Sequence, residues 1–126
     1  MINKKVESHE QARLEIHELM RTHLKLRVLL KQGELGSTMF YRADTDGAVH
    51  EVHKPAFDFK DFPHLSLVDT TGAGDCFTGA FAVQMLEGAN YEDALTFANK
   101  VGFLCITKFG AGPAIPTLQE VKDNFK

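Results

Sequence analysis

The stretch Asp69-Thr70-Thr71-Gly72-Ala73-Gly74-Asp75 constrains this chain more than any other. Gly-Ala-Gly carries almost no side-chain bulk, so its backbone N–H groups can approach a ligand closely. A helical stretch over residues 75–87 follows directly, with Phe77, Ala80, Phe81, Val83 and Met85. The first turn of a helix leaves N–H donors unpaired and carries the positive end of the helix dipole. A glycine turn feeding a helix start is therefore an anion site suited to phosphate. Asp75 stands at that start, its carboxylate beside the anion. Two readings of Asp75 are open at this level: a cap for the helix, or a group that acts on what is bound.

The rest of the chain supplies the frame. Ser8 and Gln11 form a capping-box pattern, followed by Ala12, Ile16, Leu19 and Met20 on one helical face, which predicts an amphipathic helix over 8–22. Arg27–Lys31 is a short apolar run that predicts a buried strand, punctuated by Gly33 and Gly36. Ser37–Arg42 and Val49–His53 flank Asp46-Gly47, a hairpin signal. Residues 55–63 are irregular, with Phe57, Phe59 and Phe62 as anchors on the surface of the core. Leu65–Val68 is strand-like. After Gly88, Asn90 with Asp93 opens a helix that runs to about Lys108, and Gly110–Pro113 breaks it. Thr117 with Glu120 is a second capping box, opening a last helix to Phe125. The order is that of an α/β domain with helices covering a sheet. The few strands suggest part of a larger doubly wound fold.

Composition narrows the function. A chain of 126 residues with 44% hydrophobic content supports one packed domain. With a net charge of −3 and scattered Lys and Arg, there is no basic face for nucleic acid. No apolar run is long enough to span a bilayer. Polar residues from Met1 to Glu10 lack the apolar stretch of a signal peptide, so a cytoplasmic protein is expected. Cys76 and Cys105 are the only cysteines and are expected reduced and buried. His50 and His53 fall on opposite faces of a strand, which argues against a metal pair.

Asp69–Asp75, then Cys76-Phe77-Thr78 and Gly79-Ala80-Phe81-Ala82, resembles the C-terminal signature of the ribokinase-like (PfkB) carbohydrate kinase family. Gln32–Gly36 is similar to the family's glycine turn before its hairpin, and Ala94–Asn99 and Ile106–Pro116 look like its final segments. The resemblance covers nearly the whole chain. It implies an α/β fold: the C-terminal part of a three-layer α/β/α domain, with an incomplete sheet containing a β-hairpin. Residues 1–126 would form its nucleotide-binding and catalytic part.

The resemblance also implies chemistry. Asp75 would be the general base, taking the proton of a sugar hydroxyl as it attacks the γ-phosphate of ATP. The N–H groups of Gly72, Ala73, Gly74 and Asp75 would form the anion hole. ATP, with Mg2+, would lie across Lys31, Gln32, Gly33, Glu34, Leu35 and Gly36, with Asn99 near its adenine-ribose end. Family members commonly have threonine at position 31; here Lys31 could reach a phosphate or face solvent. Many members bind a monovalent cation such as K+. By position its ligands would be Asp69, Thr71, Cys105, Lys108, Gly110 and Ala114, mostly through carbonyls. Ala114 lacks the serine oxygen often found there, and Asp69 has a competing reading as a turn-forming Asx residue.

Ribose is the first sugar expected, on the strength of the Gly110–Thr117 tail, with fructose, another sugar or a nucleoside behind it. The family's sugar-binding half, its lid and an upstream Asn-x-x-Glu element that helps organise magnesium do not appear; Asn3 is followed by Lys4, Lys5 and Val6. The chain thus resembles part of a longer enzyme, which as an isolated fragment would be inactive and in full length could form a homodimer. A non-catalytic nucleotide-binding module on the same fold is the competing class.

Overall fold

The computed structural model describes residues 8–125. The Asn3–Val6 stretch and most of the polar N-terminus lie outside them. Helix α1 (His9–Thr22) starts where the capping pattern predicts, with the Ser8 hydroxyl accepting from the Gln11 N–H at 3.1 Å. Strands β1 (Val28–Lys31), β2 (Ser37–Arg42) and β3 (Val49–Lys54) follow. They form one antiparallel sheet in the order β1-β2-β3. Lys31 pairs with Ser37 at one end of the register, and Ser37 in turn with Lys54. Helices α2 (Ala73–Leu86), α3 (Tyr91–Cys105) and α4 (Leu118–Asn124) complete the chain. Thr117 and Glu120 close the expected capping box at α4.

Side-chain alternation along the strands sorts the sheet's two faces. Val28, Leu30, Phe40 and Val49 pack on α1, around the buried Ile16 and Met20. Leu29, Met39, Tyr41 and Val52 face the opposite way, against Phe77, Leu95 and Ala98 of α2 and α3. The result is helix, sheet, helix: the three-layer arrangement the resemblance implies. Each fully buried side chain of this kind contributes about 1.5–3 kcal/mol. Arg13 of α1 also forms an ion pair with Glu51 of β3 at 2.7 Å, fixing the helix across the sheet.

Phe57, Phe59 and Phe62 do more than dress the core. They pack with Phe103 and Phe125, with ring centroids 4.6 Å apart for Phe59–Phe103 and for Phe57–Phe125. This cluster seats the 55–63 loop on α3 and the end of α4.

Three expectations are corrected. Leu65–Val68 forms no strand. The Val68 and Asp69 amides both donate to the carbonyl of Ile106, at 2.8 and 3.2 Å, so the segment is held by a helix end rather than a neighbouring strand. Helix α2 begins at Ala73, not Asp75, because Gly72 in the left-handed region (φ 79°) starts the helix earlier. Helix α3 ends at Cys105 rather than near Lys108, and residues 106–109 turn away from it.

Helix α2 is apolar on several sides, yet only Phe77 of it is buried. Val83 and Leu86 remain 50% and 87% exposed. A helix apolar all round belongs in the interior of a larger protein.

Candidate active site

The site grows from the start of α2. Gly72 occupies the N-cap position, and no side chain caps the helix there. Asp75 is the third residue of the helix and is exposed. No hydrogen bond or ion pair engages its carboxylate among the described residues. The capping reading of Asp75 therefore gives way, and the carboxylate stands free beside the glycine turn. Of the four expected donors, the Ala73 N–H is directed to the Thr70 carbonyl at 3.3 Å. Gly74 and Asp75 are the second and third residues of the helix, where amides find no acceptor inside it. Their N–H groups, with that of Gly72, are the donors left for an anion.

Lys31 reaches this turn from the sheet. As the neighbour-but-one of Leu29, it lies on the α2 face of β1. Its ammonium donates to the Gly74 carbonyl at 3.2 Å and to the Thr78 hydroxyl at 3.1 Å. Thr78 in turn donates to the Gly74 carbonyl at 2.9 Å, four residues back along the helix. Lys31 remains exposed to solvent, and its ammonium also bridges to the Gly72–Asp75 turn. Thr78 was not anticipated; its spacing from Gly74 was the available signal.

The turn that follows β1 is tight. The Gln32 N–H donates to the Gly36 carbonyl at 2.9 Å, and Gly33–Leu35 form one 3-10 turn between them. Glu34 and Leu35 project outward, Leu35 at 52% exposure. Gly36 adopts a φ of 98°, and a Cβ there would lie 2.1 Å from the Lys54 carbonyl oxygen. Asn99 is buried behind this turn. Its amide donates to the carbonyls of Lys54 and Pro55 at 3.2 and 3.1 Å, while its oxygen accepts from Ser37 at 3.1 Å. Its side chain is thus used within the protein, joining the start of β2 to the end of β3 directly behind Gly36.

Asp69 links two loops. One carboxylate oxygen accepts from the Thr71 N–H at 2.9 Å and its hydroxyl at 2.7 Å; the other accepts from the Gly110 N–H at 3.0 Å. The Asx-turn geometry is therefore realised. The Thr71 hydroxyl, then the Thr71 and Gly110 amides, hold the Asp69 carboxyl below the usual carboxylate range. The same loops touch at Gly72, where a Cβ would meet that of Ala111 at 3.0 Å. Asp69, Thr71 and Gly110 are thus brought together. Cys105 and Ala114 are buried, and the Lys108 ammonium pairs with Glu120 at 2.5 Å. Among the described residues, no group of three His, Cys, Asp or Glu side chains could hold a metal ion. His50 pairs with Asp46, and His53 contacts Thr38, as opposite faces require.

A depressed carboxyl stabilises the fold above its unfolded pKa of about 3.9 and loses that contribution as pH falls through its lower folded value. Wild-type protein should therefore unfold at a higher temperature than Asp69→Asn near neutral pH. The gap should close as pH drops below about 4. A gap independent of pH in paired thermal melts would show that charge on Asp69 is not what stabilises the turn.

An apolar trough of about 520 Å³ runs beside Asp75, between Gly79 and Val83 of α2, Phe97 and Val101 of α3, and the loop to α4. No described helix is long and apolar enough to cross a membrane.

A three-layer frame thus presents an exposed carboxylate, helix-start amides without a partner and a lysine at one glycine turn. The chain belongs to the pfkB family of carbohydrate kinases, whose family model matches residues 1–118. A ribokinase of Arabidopsis thaliana is 40% identical over 95 residues, covering 75% of this chain and 22% of the relative. A probable fructokinase-5 of the same plant is 40% identical over 115 residues, covering 86% of this chain and 32% of the relative. The solved structure of Arabidopsis thaliana ribokinase with ribose and ATP matches at a TM-score of 0.79 and 33% identity, covering 95% of this chain and 35% of that one. The chain thus spans about a fifth to a third of these relatives' length.

Proposed function

We propose that residues 1–126 are the nucleotide-binding and catalytic part of an ATP-dependent kinase that phosphorylates a sugar hydroxyl, ribose to ribose 5-phosphate in the first instance. The observation that carries this reading is the free Asp75 carboxylate on the first turn of α2, beside the unpaired amides of Gly74 and Asp75. In the reaction, the Asp75 carboxylate accepts the proton of the hydroxyl as its oxygen bonds to the γ-phosphorus. The bond from that phosphorus to the β,γ-bridging oxygen breaks, and ADP leaves. The amides of Gly72, Gly74 and Asp75 stabilise charge on the phosphoryl group in transit; loss of one such donor costs about 3 kcal/mol of barrier. Lys31 holds the nucleotide turn against this anion site, and Leu35 offers an apolar surface to the base.

Magnesium does not fit as a resident ion of the described side chains. It enters with the phosphates of ATP, as is usual for this ion. A monovalent cation fits better, since Asp69 sits with Thr71 and Gly110 on two facing loops; by the family resemblance, carbonyls of Cys105, Lys108 and Ala114 would complete the set. Its field would act on the adjacent anion turn.

Fructose is the second reading, supported by the longer match to the probable fructokinase. The deciding experiment is ADP release by the full-length protein across a panel of ribose, fructose and nucleosides, with and without K+. Ribose should give the highest kcat/KM, and K+ should raise it. Absence of ADP release with every acceptor would leave a non-catalytic nucleotide-binding module as the better account.

A further inference from the structure

Cys76 immediately follows Asp75 on the first turn of α2, and Cys105 is the last residue of α3. Their sulfurs lie 3.2 Å apart, and both thiols are free. A disulfide bond is about 2.05 Å long, so closing the pair needs an approach of roughly 1.2 Å. Cys105 is fully buried, whereas Cys76 is only half-buried and lines the trough. The two sulfurs therefore differ in access: one can be met from outside, the other only through its neighbour.

We propose that Cys76 and Cys105 form an oxidisable thiol pair beneath the active-site turn, closed into a disulfide by exchange with a low-molecular-weight disulfide. The Cys76 thiolate attacks the reagent, its S–S bond breaks, and one reagent thiol departs, leaving a mixed disulfide on Cys76. The Cys105 sulfur, after yielding its proton to solvent, attacks the Cys76 sulfur and displaces the second reagent thiol. In sum, two protein S–H bonds are lost, one protein S–S bond forms, and the reagent is reduced to two thiols.

The cross-link ties the turn that carries Asp75 to the end of α3. Drawing it inward displaces the carboxylate next door, and misplacement of about 1 Å at a reacting group can cost 10²-fold in rate. That consequence rests on the kinase reading; the thiol chemistry does not.

The test treats the full-length protein with glutathione disulfide and follows it by intact mass and peptide mapping. The expected product lacks two hydrogens and yields a Cys76–Cys105 cross-linked peptide, which a dithiol reductant removes and Cys76→Ala never forms. The closed form should turn over at least tenfold more slowly until reduced. Two thiols that persist, or a mixed disulfide that accumulates on Cys76 without closing, would overturn the proposal. Because mass and mapping need no turnover, failure of this chemistry is distinguishable from failure of the kinase reading. A cross-linked enzyme with undiminished turnover would overturn the inhibitory consequence.

Discussion

Replacing Asp75 with Asn in the full-length protein is expected to lower phosphoryl transfer by about 10²–10⁴-fold, the range a positioned general base supplies. ATP binding should be largely kept, because the amides of Gly74 and Asp75 belong to the backbone and survive the exchange. The fold should be kept as well. The carboxylate is exposed, bonds to nothing among the described residues and does not cap α2, since Gly72 holds that position. This separates a chemical role from a structural one. If Asp75 were a cap, the substitution would lower the unfolding temperature and spare kcat. As the base, it spares the unfolding temperature and removes kcat. Single-turnover ADP formation, with a thermal melt on the same sample, measures both; undiminished turnover would end the assignment.

The second large effect is expected at Gly36. Its backbone (φ 98°, ψ −139°) lies where side chains are rarely accommodated. The Cβ of Gly36→Ala would sit 2.1 Å from the Lys54 carbonyl oxygen and 2.8 Å from the Ala56 nitrogen. Both obstacles are backbone, so relief requires β2 and the segment after β3 to separate. Backbone strain of about 1–3 kcal/mol, together with an overpacking cost of similar size, suggests a loss of roughly 2–5 kcal/mol. The damage would not stay local. Asn99 bonds to the carbonyls of Lys54 and Pro55 and to Ser37, so the displaced strands pull on α3 through it. Gly33→Ala is the control: its φ is 58°, but a Cβ there meets nothing within 4 Å. Chemical denaturation should place Gly36→Ala well below Gly33→Ala, and nucleotide titration should show the larger rise in Kd for the same variant. Equal stability of the two would mean that the close approach to Lys54 is dispensable.

Much of the frame was legible because local chemistry and tertiary structure agree. Ser8, Asn90 and Thr117 each cap the helix they announce, and Asp46-Gly47 turns the hairpin it signals. Leu65–Val68 misled because a short apolar run does not reveal whether a strand lies beside it. The start of α2 was displaced by two residues because Gly72 takes a left-handed conformation that composition alone does not announce. Site residues divide in the same way. The glycine turn and Asp75 were visible as a contiguous string. The orientation of Lys31 was not, because it depends on which sheet face α2 covers. The Cys76–Cys105 contact bridges 29 positions and arises only once α2 packs on α3.

The bridge from Lys31 to Gly74 and Thr78 has one further consequence. It links the Gly33–Gly36 turn and the Gly72–Asp75 turn, the proposed nucleotide and anion sites, through one flexible side chain. Ordering either turn lowers the entropy cost of ordering the other. Thermodynamic reciprocity then requires that whatever factor a phosphoryl anion adds to the affinity for nucleoside, the nucleoside returns to the anion. Adenosine and inorganic phosphate, each weak alone, should bind this protein cooperatively, and paired titrations would read out the coupling that Lys31 carries.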